Sequence, residues 1–211
     1  MSVVAAQNFT ADELRDLRSA GKILAELFRD LRDQVHAGVT GKEIDSWCAK
    51  EITRRGAIAT YLSPEVNFPG VICISVNDAV VHAVPSNEPF NVGDVVSFDL
   101  VVEVNGMKAD SAFTMVVDEE LKGAKKNLIN STERSLYAGI DAIHGAVKTG
   151  DIAAAVQDVL ERAKLGVVRD LVGHGIGREM HEAPDVPNYG RRGSGVLVPV
   201  GNTIAIEPMA T

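Results

Sequence analysis

Hydrophobic and polar positions follow two different periods along this chain. Leu14, Leu17, Ile23, Leu24, Leu27 and Leu31 recur at helical spacing. Thr10, followed three residues on by Glu13, is a capping box that opens a helix there. The pattern predicts that this helix closes at Gly38. A second helix is predicted over about 40–55, with Ile44, Trp47, Cys48 and Ile52 on one face. Residues 61–70 (YLSPEVNFPG) hold two prolines and a glycine and read as a loop. Strands are predicted at 71–76, 95–104 and 107–117. After residue 120 the order repeats: helices over about 126–146 and 151–164, with Gly150 ending the connection between them, then strand-like pieces at 167–172, 195–198 and 202–207. Val35 and Gly38 in VHAGVTGKEI are echoed by Val147 and Gly150 in VKTGDIAAAV. Helices then strands, twice over, predict an α+β fold of two related halves, about 10–118 and 124–211. No linker rich in Pro, Gly or Ser separates them, so 1–211 reads as one domain.

Composition narrows the class. With 45% hydrophobic and 24% charged residues, the 211-residue chain has the mix of a folded protein rather than a disordered one. The formal charge of −8 argues against DNA and against an anionic membrane as main partner. Two cysteines, Cys48 and Cys73, are too few for a disulfide framework, and a reduced cytoplasmic compartment is expected. No run reaches the ~18 apolar residues of a membrane span. The N-terminal MSVVAAQN lacks the basic region and apolar core of a signal peptide.

Four segments carry candidate chemistry. The first is residues 94–117, DVVSFDLVVEVNGMKADSAFTMVV, where Asn105-Gly106 is the preferred pair for a two-residue type I′ hairpin turn. With that turn, Asp99 faces Ala112 and Asp110 faces Val101. Side chains alternate along a strand, so Asp99 and Asp110 share one face as diagonal neighbours. A carboxylate in so apolar a run must be paired or neutralised, by a cation, an arginine or backbone donors, unless the face is wet. The second is GHGIGREMHEAP, residues 173–184, with His174 among alternating glycines that let the backbone approach a ligand closely. Either histidine alone can be an ordinary satisfied residue. A phosphate loop is a rival reading, although the spacing is not the dinucleotide fingerprint. The third is TIAIEPM, where Glu207 ends an apolar run before Pro208; a strand-end glutamate can also simply face solvent. The fourth is SVNDAVVHAVP, which carries His82.

Together, two aspartates, one histidine and one glutamate form an oxygen-rich donor set suited to Mn(II), Fe(II), Co(II) or Zn(II). His82 and His181 remain for proton transfer or substrate contact. Metal-assisted hydrolysis of an acyl bond is the natural reaction class.

SVNDAVVHAVP, FDLVVEVNGMKADSAFTM, GHGIGREMHEAPDVPNY and IEPM resemble, in order and spacing, the motifs of type I methionine aminopeptidases. The resemblance implies the pita-bread fold, two pseudo-symmetric α+β halves with helices covering curved antiparallel sheets. It implies removal of the initiator methionine when the second residue is small. Asp99 and Asp110 resemble the aspartate ligands, with Asp110 bridging two metals. His174 and Glu207 resemble the His and Glu ligands, with Glu207 also managing the proton of the attacking water. His82 and His181 resemble the histidines that contact the scissile peptide. Cys73 and Phe68 fall where the family lines its methionine pocket, although TYLSPEVNFPG departs from the usual pattern there. The implied partner is a peptide or nascent-chain N-terminus, with the ribosome as a further candidate. The chain's own Met-Ser start suits such an enzyme.

The family carries a second glutamate ligand about thirty residues beyond the EPM motif, and this chain ends four residues after Glu207. The expectation is one tightly bound metal, a weak second site, and a sheet edge left uncovered by missing last strands. The chain is then a monomer or an edge-paired dimer. Two alternatives stand beside the enzyme: a catalytically weakened pita-bread protein that binds peptides or a partner, and an X-Pro peptidase of the same fold.

Overall fold

Thr10 starts the first helix as its spacing requires. In a computed structural model, which describes residues 2–64 and 66–211, helix α1 spans Ala11–Arg32. Met1 and Glu65, within the N-terminal segment and the 61–70 loop read above, lie outside the described residues. The capping box is complete: Thr10 N–H donates to Glu13 Oε2 at 2.8 Å and Glu13 N–H to Thr10 Oγ1 at 3.2 Å. α1 ends at Arg32, not at Gly38. The Asp33 N–H closes the last turn, and Gly38 (φ +92°) turns the connection beyond it. α2 (Gly41–Arg54) opens on a second capping box, Thr40 with Glu43.

These helices belong to a unit formed by Thr10–Leu121 with Gly177–Met180. Its sheet contains β1 (Ile58–Ala59), β2 (Cys73–Val76), β3 (Val95–Val104) and β4 (Met107–Val116), all antiparallel. β3 carries β4 along one edge, and β1 and β2 in succession along the other. Asn105 (φ +50°) and Gly106 (φ +85°) make the turn, as a type I′ hairpin needs. The register is the expected one, Asp99 opposite Ala112 and Val101 opposite Asp110.

Strand periodicity gives β3 two distinct faces. Val96, Phe98, Leu100 and Val102 are fully buried with Leu24, Leu27 and Leu31 of α1 and Ile44 and Ile52 of α2. Phe98 stacks on Phe113 at 5.1 Å, and Phe113 meets Phe28 edge-on at 4.9 Å. Burial of each such side chain contributes about 1.5–3 kcal/mol. The opposite face carries Ser97, Asp99 and Val101. The hydrophobic face is thus spent on the helices, which leaves the other face for polar chemistry.

The second unit comprises the segment up to Phe9, Lys122–Ile176 and His181–Thr211. It holds α3 (Gly123–Asp141), β5 (Val147–Lys148), α4 (Thr149–Arg162), β6 (Gly173–Gly175), β7 (Glu182–Val186) and β8 (Leu197–Val198). α3 buries Ser131, Ser135 and Gly139, small residues four apart. A Cβ on Gly139 would sit 3.0 Å from Val156 Cγ2, so small residues set the approach of α3 to α4. α3 starts earlier and ends earlier than its pattern suggested. Gly150 lies in the first turn of α4, whereas Gly38 precedes α2, so the sequence echo does not fall on equivalent helix positions. Of the strand-like pieces, 167–172 contributes only the bridge Val167–Ala210, and 202–207 only Gly175–Ile204, among the described residues. β7 was not anticipated, because Pro184 disguises it; the Ala183–Pro184 bond is cis. Among the described residues, no helix is long and apolar enough to cross a membrane.

Candidate functional site

The polar face of β3 builds the first group. Cys73 of β2 pairs directly with Asp99, and the Tyr61 hydroxyl donates to Asp99 Oδ1 at 3.1 Å. Asp99 and Asp110 share this face, each half-buried. Tyr61, Cys73 and Val101 form a small buried cluster with Phe68, Val66 and Met180 packed on it. The Phe68 ring lies 5.5 Å from that of Tyr61. Burial, and next the Asp99 carboxylate, push the Cys73 thiol up to about 12. Burial first, then Asp99, raise the Tyr61 hydroxyl far above its ordinary value. Both therefore stay neutral at physiological pH, and Tyr61 acts as a donor. His82 stands exposed in the 77–86 loop with φ +56°. It is tethered through its neighbour, whose Ala83 O accepts from Ile74 N–H at 3.0 Å.

The other unit builds the second group from three segments. His174 on β6 is 7% exposed. β6 lies between β7 and residues 203–205: His174 N–H donates to Ala205 O at 3.2 Å, and Ala205 N–H to His174 O at 2.7 Å. That pairing puts Glu207 two residues beyond His174's partner. His174 Nε2 and Glu207 Oε1 are 2.9 Å apart. The His181 ring stands edge-on to that of His174, with centroids 4.4 Å apart. The Glu207 carbonyl accepts from Asn188 Nδ2 at 2.7 Å, and Asn188 is 1% exposed.

The glycines around His174 do something other than expected. A Cβ on Gly173 would lie 2.3 Å from Ala205 O, and one on Gly175 the same distance from Ala183 O. They admit neighbouring backbone, which is how the three segments come close enough to share a site.

Does this group suit a cation? His174 Nδ1 lies 2.8 Å from Gly175 O, the contact of an Nδ1–H donor, which leaves a lone pair on Nε2. Glu207 Oε1 is buried and has no hydrogen-bond partner among the described residues, although Nε2 is 2.9 Å away. Two lone-pair donors side by side, and not bonded to each other, are what a cation shared between them requires. Ligands at about 2.1 Å on adjacent positions stand about 3 Å apart. The residues fit a divalent ion.

Sequence reasoning proposed Asp99, Asp110, Cys73, Phe68 and His82, which lie in one unit, and His174, His181 and Glu207, which lie in the other. It missed Tyr61 and Asn188. Tyr61 lay in the loop 61–70, where only prolines and glycine gave a signal; Asn188 follows Pro187 with no periodic signal at all.

Known proteins bear on this arrangement. The profile of metallopeptidase family M24 matches residues 15–211. The chain is 40% identical over 198 residues to a methionine aminopeptidase of Clostridium perfringens, covering 94% of this chain and 79% of that protein. It is 36% identical over 200 residues to methionine aminopeptidase 1 of Bacillus subtilis, covering 95% and 80%. The crystal structure of methionine aminopeptidase from Rickettsia prowazekii superposes with a TM-score of 0.92 at 34% identity, over 98% of this chain and 82% of that one. A prolidase from Pyrococcus furiosus superposes at 0.77 with 18% identity, a likeness of fold alone.

Proposed function

The chain belongs to metallopeptidase family M24, among the methionine aminopeptidases with their α+β pita-bread fold, and from that premise we propose that it removes the N-terminal methionine from peptides whose second residue is small. The observation that carries this reading is the His174–Glu207 pair, two buried donors 2.9 Å apart and not bonded to each other. In the proposal Asp110 joins them as a third donor, and an Asp, His and Glu group suits a divalent ion. Asp99 would be a donor for a second ion, and Asp110, on the same face of the sheet, would serve both. When bound, such an ion supplies Lewis acidity, polarising a carbonyl and acidifying water.

The protein's own groups do the rest. Glu207 takes the proton from the attacking water and passes it to the leaving amine. His181, edge-on to His174, donates to the scissile peptide as its carbonyl turns tetrahedral. His82 contacts the same peptide from its loop. Cys73, Phe68 and the Tyr61 ring offer an apolar wall, with a neutral thiol, for an unbranched thioether side chain. Asp99 already accepts the Tyr61 hydroxyl. That bond reduces its donor strength, so a second ion held by Asp99 would bind more weakly than one held by Asp110, His174 and Glu207. Mn(II), Fe(II), Co(II) and Zn(II) all match the donor set. The place of action is the cytoplasm, on nascent chains at the ribosome.

The test compares hydrolysis of Met-Ala-Ser with that of an X-Pro peptide. Release of methionine from the first alone is expected. Cleavage of the X-Pro peptide alone would reassign the substrate class, and cleavage of neither would remove the enzymatic reading.

A further inference from the structure

The segment 2–7 runs beside residues 197–203. Val4 N–H donates to Leu197 O at 2.9 Å, Leu197 N–H to Ser2 O at 3.0 Å, and Asn202 Nδ2 to Ala5 O at 2.9 Å. It leads to Gln7, whose side-chain amide is hydrogen-bonded at both its nitrogen and its oxygen. Gln7 Nε2 donates to Ile176 O at 3.0 Å and to Glu182 Oε2 at 2.7 Å. Gln7 Oε1 accepts from Thr203 N–H at 2.6 Å, and the Thr203 hydroxyl, 3.3 Å from the same oxygen, donates its proton to Ile176 O. A primary amide has two N–H donors and two lone pairs; these bonds use both donors and one lone pair.

The partners lie on three different chain segments. Ile176 follows His174 by two residues, Glu182 directly follows His181, and Thr203 precedes Glu207 by four. One side chain thus ties together the segments that carry all three site residues of this unit. We propose that Gln7 is a positioning residue: it touches no substrate, and it fixes the spacing of His174, His181 and Glu207. This rests on those residues being the working groups of the proposed reaction. A misplacement of about 1 Å at such a group costs up to about a hundredfold in rate.

The experiment is a swap. Gln7→Glu keeps an acceptor for Thr203 but turns an oxygen toward Ile176 O and the Glu182 carboxylate. Gln7→Glu with Glu182→Gln restores the bond between residues 7 and 182 with donor and acceptor exchanged, while Ile176 O keeps the Thr203 hydroxyl as its donor. Glu182→Gln alone keeps an acceptor for Gln7 and serves as control. Each protein is assayed for kcat and KM on Met-Ala-Ser. Co(II) affinity and the Co(II) visible spectrum are recorded without peptide, and Tm is measured. Gln7→Glu is expected to lower kcat by about tenfold or more, with KM within about twofold, and to weaken Co(II) binding with an altered spectrum. The control and the double variant are expected within about threefold of the parent. A merely structural role would lower Tm but leave kcat of the folded protein and the Co(II) spectrum unchanged, and that outcome overturns the proposal. So does a loss that the double variant fails to recover. If Gln7→Glu does not fold, a double variant at parental values supports the proposal, and an impaired one overturns it. If the parent releases no methionine, the proposed function fails, while the Co(II) measurements still decide the role of Gln7.

Discussion

Gly173→Ala tests how closely the segments bearing His174 and Glu207 must approach. A Cβ there would stand 2.3 Å from Ala205 O, 3.1 Å from Ala205 C and 3.3 Å from Glu207 N. An ordinary carbon–oxygen contact needs about 3.3 Å, so the 203–207 segment must retreat by about 1 Å. The obstructing atoms are all backbone, and no side-chain rotation can relieve them. The displaced carbonyl is the one that accepts from His174 N–H, in the pairing that sets Glu207 beside His174. Overpacking of this kind costs about 1–3 kcal/mol of stability. A 1 Å displacement at the site costs about a hundredfold in turnover, or about 2.7 kcal/mol of barrier. Urea unfolding and methionine release at saturating Mn(II) measure the two effects. Gly21→Ala is the control: it lies in α1, a Cβ there meets nothing within 4 Å, and it should gain about 0.5–1 kcal/mol with turnover unchanged. Parental stability and turnover in Gly173→Ala would refute the close-approach argument.

Further expectations concern the individual groups. Tyr61→Phe removes the donor to Asp99 Oδ1 and should cost the metal-free protein about 1–2 kcal/mol in urea titrations; if Asp99 is a ligand, saturating Mn(II) offsets part of that loss, whereas an undiminished loss in Mn(II) contradicts its assignment. The Cys73 thiol, pushed up to about 12 by burial and Asp99, should resist iodoacetamide at pH 8 in the native protein and react readily in urea. Because its folded pKa is raised, stability is full below the unfolded thiol's range near pH 8.5 and declines as pH rises from there toward 12; Cys48, raised chiefly by burial, acts in the same direction. A flat stability profile between pH 8 and 11 would count against both. Mn(II) at a hundred times its Kd should add about 2.7 kcal/mol to unfolding stability, and His174→Ala should abolish that gain; an equal gain in the variant would remove His174 from the ligand set.

Much of this was legible in the chain. The hairpin register followed from Asn105-Gly106 because a two-residue turn leaves no freedom in pairing. The faces of β3 followed from strict alternation. Helix starts were sharp wherever a capping box stood, at Thr10 and Thr40. Helix ends were not: α1 stops at Arg32 with an ordinary right-handed cap at Asp33, and the glycine that signals a stop lies in the connection beyond. β7 was hidden because Pro184 reads as a strand breaker, and residues 202–207 looked like a strand but pair only locally. The candidate site residues stood out in the sequence as polar groups in apolar surroundings. Tyr61, Asn188 and Gln7 did not, because each acts through one or a few long-range hydrogen bonds to segments far along the chain. Such bonds leave no periodic trace.

The most direct test of the central claim is methionine release from Met-Ala-Ser by protein stripped of metal, with and without added Mn(II) or Co(II), beside Glu207→Ala. The account predicts no release from stripped protein, recovery on adding metal, and none in the variant at any metal concentration. Release that persists without metal, or that survives in Glu207→Ala, would contradict it.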